Sequence, residues 1–186
     1  MQIQQIITKI KSWRPTLKDV NTNRGWYAIG ITIVIVVIAW IVALVSSDRI
    51  SPVPKSILSS VSYPVYYPSD SRLPEGYALD KSSIELVNPK VVILVVKYDS
   101  NNMVVFNEQA NPGATIINQY QSNYIPIHTT VWTPLGNAIL GAYNDGHSIK
   151  TVVSLPVTNG PWIIVTAPSN INQTNLKEVL DSLTKS

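Results

Sequence analysis

Hydrophobic and polar positions divide the chain into two unequal parts. From Trp26 to Val45 no side chain carries a charge, and almost every position is Ile, Val, Ala or Leu. A helix rises 1.5 Å per residue, so about 20 apolar residues match a hydrocarbon core of about 30 Å. The pattern predicts one transmembrane helix over residues 26–45. Trp26 and Tyr27 stand at one end of the run, where amphipathic rings rest among headgroups. The competing reading is a buried strand or core helix, which would require a modest domain to hide the whole run.

After Ser46 the pattern changes period. Residues 46–62 are rich in serine and include Pro52 and Pro54, a composition that reads as a tether. Tyr63 to Pro68 opens a domain that runs to Ser186. Gly76–Asp80 and Ser83–Val87 read as short strands. Lys90–Tyr98, with an unbroken apolar centre from Val91 to Val96, reads as a central strand covered on both faces or mostly so. Ser100-Asn101-Asn102 turns the chain into a return strand, Met103–Glu108.

Thr115–Gln121 suggests a short helix with Ile116, Ile117 and Tyr120 on one side. Four further strands follow, at Ile127–Trp132, Asn137–Tyr143, Ser148–Leu155 and Trp162–Ala167. Turns at 144–147 and 158–161 join the later ones, and such short connections force antiparallel pairing. A terminal helix is signalled by Asn172 as cap, with Leu176, Val179, Leu180 and Leu183 along one face. The fold class expected is α+β: a twisted antiparallel sheet with a C-terminal helix packed on it, preceded by one transmembrane helix.

Charge gives this arrangement a direction. The chain has 14 Lys and Arg against 11 Asp and Glu, but the excess is local. Lys9, Lys11, Arg14, Lys18 and Arg24 precede the apolar run, opposed only by Asp19. By the positive-inside rule residues 1–25 are cytoplasmic and the C-terminal domain is extracytoplasmic. A cleaved signal peptide is the alternative; Ala43-Leu44-Val45 is a poor cleavage site for it, and the apolar run exceeds the usual length. Within residues 1–14, Ile3, Ile6, Ile7, Ile10 and Trp13 recur at helical spacing. They would lay an apolar face on the inner leaflet, unless the segment is only a charged tail that fixes topology. Arg14-Pro15 argues against one continuous helix.

Composition removes several chemistries. The chain has no cysteine, so disulfides, thiolate-ligated metals and a thiol nucleophile are excluded. The outer part is close to neutral and shows no clustered basic face for nucleic acid.

The titratable candidates are few. His128 and His147 are the two histidines, and they lack metal-ligand spacing with the scattered carboxylates. Asp145, His147 and Ser148 supply the residue types of a hydrolytic triad, but neighbours in one turn cannot converge as a triad requires. Glu108 could act as an acid or base; it lacks the second carboxylate of a glycosidase and reads as a polar residue at a strand exit. No phosphate-binding glycine loop is present. No catalytic, cofactor-binding or metal-ligating residue is therefore assigned.

Several short motifs carry a resemblance: the Tyr/Pro-rich opening 63–68, Leu73-Pro74-Glu75-Gly76-Tyr77, the hairpin ending Phe106-Asn107-Glu108-Gln109, strands from Gly136, and the helix from Asn172 to Leu183. Together they resemble the uncharacterised extracytoplasmic domain that follows the transmembrane helix in many bacterial membrane proteins, some of them similar to anti-sigma factors. The resemblance implies a half-barrel-like sheet, in the style of lipoprotein carriers and periplasmic sigma regulators. The cytoplasmic zinc-binding domain of anti-sigma members has no counterpart here, and the resemblance supplies no catalytic residue.

The function expected is a membrane-anchored domain in the cell envelope that binds a protein or lipid partner, without catalysis, cofactor or nucleic acid. The alternatives are an envelope hydrolase using His128 or Glu108, and an accessory subunit of a larger membrane complex.

Overall fold

The computed structural model describes residues 51–99, 102–144 and 146–186, together with Val36 alone. The chain divides into residues 1–49 and 50–186, and the architecture below is that of the second unit. The basic segment 1–25, the expected span 26–45 apart from Val36, the first tether residues and Asp145 lie outside the described residues. Among the described residues no helix is long and apolar enough to cross a membrane.

Among the described residues nine strands are formed: β1 (Tyr66–Pro68), β2 (Ala78–Val87), β3 (Val91–Lys97), β4 (Met103–Gln109), β5 (His128–Thr133), β6 (Gly136–Asn144), β7 (Ile149–Pro156), β8 (Trp162–Pro168) and β9 (Leu183–Lys185). Seven of them make one antiparallel sheet in the order β2-β3-β4-β8-β7-β6-β5, and β1 pairs with β9 in a separate ribbon. Three helices accompany them: α1 (Lys55–Ser60), α2 (Ala114–Tyr124) and α3 (Gln173–Asp181). The chain leaves β4 through α2, runs the β5-β6-β7 meander, and returns as β8 between β4 and β7.

Strand periodicity decides which side becomes the core. Val92, Leu94 and Val96 of β3 and Val104 and Phe106 of β4 are fully buried, while Val91, Ile93 and Val95 on the opposite face are only half-buried. The core face is covered by α1, α3 and the β1-β9 ribbon, through Ile57, Leu176, Val179, Leu180, Tyr67 and Leu183.

The C-terminal helix starts as expected. The Asn172 side-chain oxygen accepts from Thr174 N at 2.8 Å and from Asn175 N at 3.4 Å, satisfying donors that a helix start leaves open. Lys177 and Asp181 pair one turn apart along it.

Four expectations are corrected. First, the stretch after residue 50 is not all tether: α1 forms behind Pro54, and Val53 and Ile57 are buried in the core. Second, the two short strands expected over 76–87 are one strand, β2, with its register against β3 shifting between Asp80 and Glu85. The Ser83 hydroxyl accepts the Val95 N–H at 2.9 Å within that irregular stretch. Third, Leu183 does not belong to the helical face. The helix ends at Asp181 with Ser182 as its cap, and Leu183 opposes Pro68 in the β1-β9 ribbon, its side chain still buried.

Fourth, α2 runs to Tyr124 and buries Ile117, but leaves Ile116 49% exposed, since neighbouring residues point about 100° apart around a helix. It stops where Ile125 precedes Pro126, because a residue before proline is driven out of the α region. The chain then crosses close over β6. A Cβ on Gly141 would lie 2.3 Å from the Ile125 side chain and 2.5 Å from the Ile127 carbonyl oxygen, so only glycine fits there.

Candidate functional site

The half of the sheet's second face beneath α2 is polar at its centre. The Ser154 hydroxyl, fully buried, accepts from Gln121 Nε2 at 3.0 Å and from Trp162 Nε1 at 2.9 Å. Tyr120 meets the Trp162 ring edge-on with centroids 5.0 Å apart, and Tyr124 meets Tyr143 at 5.7 Å. Burial pushes the Tyr120 hydroxyl pKa up, with neighbouring Tyr143 and Tyr124 adding to it. These contacts seat α2 over β6, β7 and β8 and give Trp162 the hydrogen-bond partner a buried indole requires.

Beyond α2 the same face opens into a groove of about 410 Å³, lined chiefly by Met103, Val105, Ile149, Lys150, Thr166 and Pro168. Its origin lies in the ladder. β4 and β8 pair only from Val105–Thr166 to Gln109–Trp162, whereas β3-β4 pairing continues to Met103 and β7-β8 pairing to Pro168. Pro168 has no N–H to offer β4, so the two central strands part at this end and a hollow opens between them. Among the described residues, Lys150 is the single charged one on its wall, and no carboxylate or histidine lines it. The volume lies in the range of small-ligand sites, and the lining has their apolar character.

The three titratable candidates do not converge. Glu108 is on the core face, in register with Val92 and Ile163. His128 begins β5 on the second face, exposed, with Nδ1 2.8 Å from the Ile125 carbonyl oxygen. Four strand spacings separate β4 from β5, about 19 Å at the usual inter-strand distance. His147 is exposed in the β6-β7 turn. Among the described residues no group of three or more His, Asp or Glu could hold a metal ion.

No family model, curated protein or solved structure matches this chain.

Glu108 is the residue whose place differs most from its sequence reading. It is not a polar residue at a strand exit: its exposure is 0%. Oε2 accepts the Tyr66 N–H at 2.9 Å, and Oε1 has no hydrogen-bond partner among the described residues. The Tyr63 hydroxyl lies 2.7 Å from the Glu108 carbonyl oxygen and 2.9 Å from that of Lys90. Burial raises the Glu108 pKa to about 8, against a smaller lowering by the Tyr66 amide. The Tyr63 hydroxyl is pushed up to about 12, first by burial and then by the charge Glu108 would carry.

A neutral carboxyl holding the backbone at the start of β1 ties the entering chain to the centre of the sheet. The signal was present in the sequence, because Glu108 shares its parity with Val104 and Phe106 and so faces the core.

Proposed function

We propose that this protein is a membrane-anchored extracytoplasmic domain that binds an apolar ligand, or an apolar segment of an envelope partner, without catalysis of its own. In this reading residues 26–45 are the anchor, residues 1–25 are cytoplasmic, and the seven-stranded sheet is the half-barrel-like platform that presents the groove.

The observation that carries the reading is the groove between the parting ends of β4 and β8, walled by Met103, Val105 and Ile149, with no carboxylate or histidine among the described residues that line it. Catalysis by general acid and base needs such groups within hydrogen-bond reach of a substrate. Glu108 is sealed in the core and His128 stands about four strands from it on the opposite face, an arrangement that favours binding over hydrolysis by these two residues.

The test is a photo-crosslinking side chain placed at Met103 in the full chain, irradiated in native membranes, with the same group at exposed Glu85 as control. A lipid or protein adduct specific to position 103 supports the proposal, and equal labelling at both positions sinks it. The anchor is tested separately by adding protease to spheroplasts. Residues after Ser46 should be lost and the N-terminus spared; protection of the domain would overturn the orientation.

A further inference from the structure

The two edges of the seven-stranded sheet are β2 and β5, and they are built differently. An edge strand leaves a row of N–H and C=O groups ready to pair, and folded proteins guard such edges with charges and irregularities. β2 has both: Asp80, Lys81 and Glu85 lie along it and its register is broken between Asp80 and Glu85. β5 has neither. His-Thr-Thr-Val-Trp-Thr is regular through all six pairs with β6 and carries no Asp, Glu, Lys or Arg. Trp132 is 66% exposed, and Ile127, just before the strand, is 88% exposed. His128, Thr129 and Thr130 are exposed as well, so side chains on both faces of the strand lie open to solvent.

We propose that two copies of this chain join edge to edge through β5, antiparallel, about a two-fold axis at Thr130. The occupant follows from the chemistry of the edge. What satisfies a row of backbone donors and acceptors is another strand, and this strand is complementary to itself. A two-fold that sets identical antiparallel edges side by side runs normal to the sheet. Opposed residues must therefore come from the same face, which requires their numbers to sum to an even value. Centring on Thr130 meets that condition and sets Trp132 against His128 of the second copy twice, on one face. It also keeps Pro126 and Pro134, which have no N–H to donate, outside the paired segment.

No like charges oppose each other in this arrangement, whereas β2 would bring its own charged side chains together. The joint is one short ladder, well under the about 1,200–2,000 Å² of standard interfaces, so the dimer is weak and concentration-dependent.

The chain contains no cysteine, which makes the test direct. Thr130→Cys, Val131→Cys and Ser82→Cys are each expressed as the full chain, oxidised in membranes, and resolved on non-reducing gels. The two-fold places the two Thr130 positions within disulfide reach, so Thr130→Cys should give the dominant dimer band and Ser82→Cys, on the guarded edge, only a background one.

A second measurement uses the double variant His128→Cys/Trp132→Cys. Adding Thr130→Lys to it sets two like charges face to face and should lower its dimer yield about fivefold. Circular dichroism checks that the fold is kept. Equal bands at positions 130 and 82, a dominant band at 131, linkage to a different protein in place of the self-dimer, or indifference to the lysine would each overturn the proposal.

Discussion

On its core face β3 presents Val92, Leu94 and Val96, each with no exposed surface; on the other face of the same strand Val91, Ile93 and Val95 are only half-buried. Composition does not distinguish the two sides, since both are branched aliphatics. What differs is the cover. α1, α3 and the β1-β9 ribbon close over the core face, while the second face receives α2 over β6, β7 and β8. A strand apolar on both faces but covered on one leaves hydrophobic surface in water, and such surface marks ligand or partner sites more often than chance. The main core lies on one side of this sheet and the proposed binding groove on the other, so substitutions at the core and at the groove should separate in kind.

The largest effect should come from the core face's least obvious cover. A chain beginning at residue 63 instead of 51 loses Val53 and Ile57, both buried. Full burial of such side chains is worth about 1.5–3 kcal/mol each, so the shorter chain should be less stable by about 3–6 kcal/mol in urea denaturation. Equal midpoints would mean that α1 does not contribute to the core. Leu180→Ala comes next, removing a side chain with 0% exposure between α3 and the sheet. The expected loss is about 2–5 kcal/mol, and a loss below about 0.5 kcal/mol, typical of surface sites, would contradict the packing.

Glu108 tests the core face through pH. Its folded pKa is about 8 against an ordinary value of 4.5. Its neutral form is the one the fold prefers, so its contribution to stability is complete below about pH 4.5 and is lost progressively as pH rises to 8. Glu108→Gln keeps the shape and cannot ionise. The variant should match the parent near pH 4 and exceed it near pH 8 by on the order of a few kcal/mol. Asp80, held down to about 2 chiefly by Lys97 and Ser82, titrates in both proteins and cancels in the difference. A parallel pair of stability curves from pH 4 to 9 would show that Glu108 does not titrate in a buried state.

How much of this was legible follows from where the deciding information lies. The strands of the β6-β7-β8 region and the capped terminal helix were readable within a residue or two, because turn residues and an asparagine cap act locally. The half-open second face was not readable, since the apolar run 91–96 is the same whether a helix covers it or water does. Leu183 continued the helical spacing, and only pairing with β1, more than a hundred positions earlier, draws it into a strand. The groove was hidden for a similar reason. It depends on β8 lying beside β4, an adjacency that residues far apart in sequence create.

The smallest stability effect should fall at the mouth of the groove, and it is the most informative of the set. Ile149 is 57% exposed at the mouth of the groove. Ile149→Thr keeps a β-branched side chain, so strand propensity is nearly unchanged. Little apolar area is lost to water because most of it is already there. Stability should therefore move by less than about 0.5 kcal/mol. Binding should not be spared in the same way. A hydroxyl in place of an ethyl group puts a polar atom against the apolar part of any ligand in the groove, where burying it without a partner costs about 1–3 kcal/mol. The photo-adduct formed from position 103 should fall about tenfold in this variant. If Ile149→Thr destabilises the domain as Leu180→Ala does, Ile149 belongs to the core rather than to a binding surface. If the adduct is unchanged while the fold is kept, the groove is not where the ligand sits.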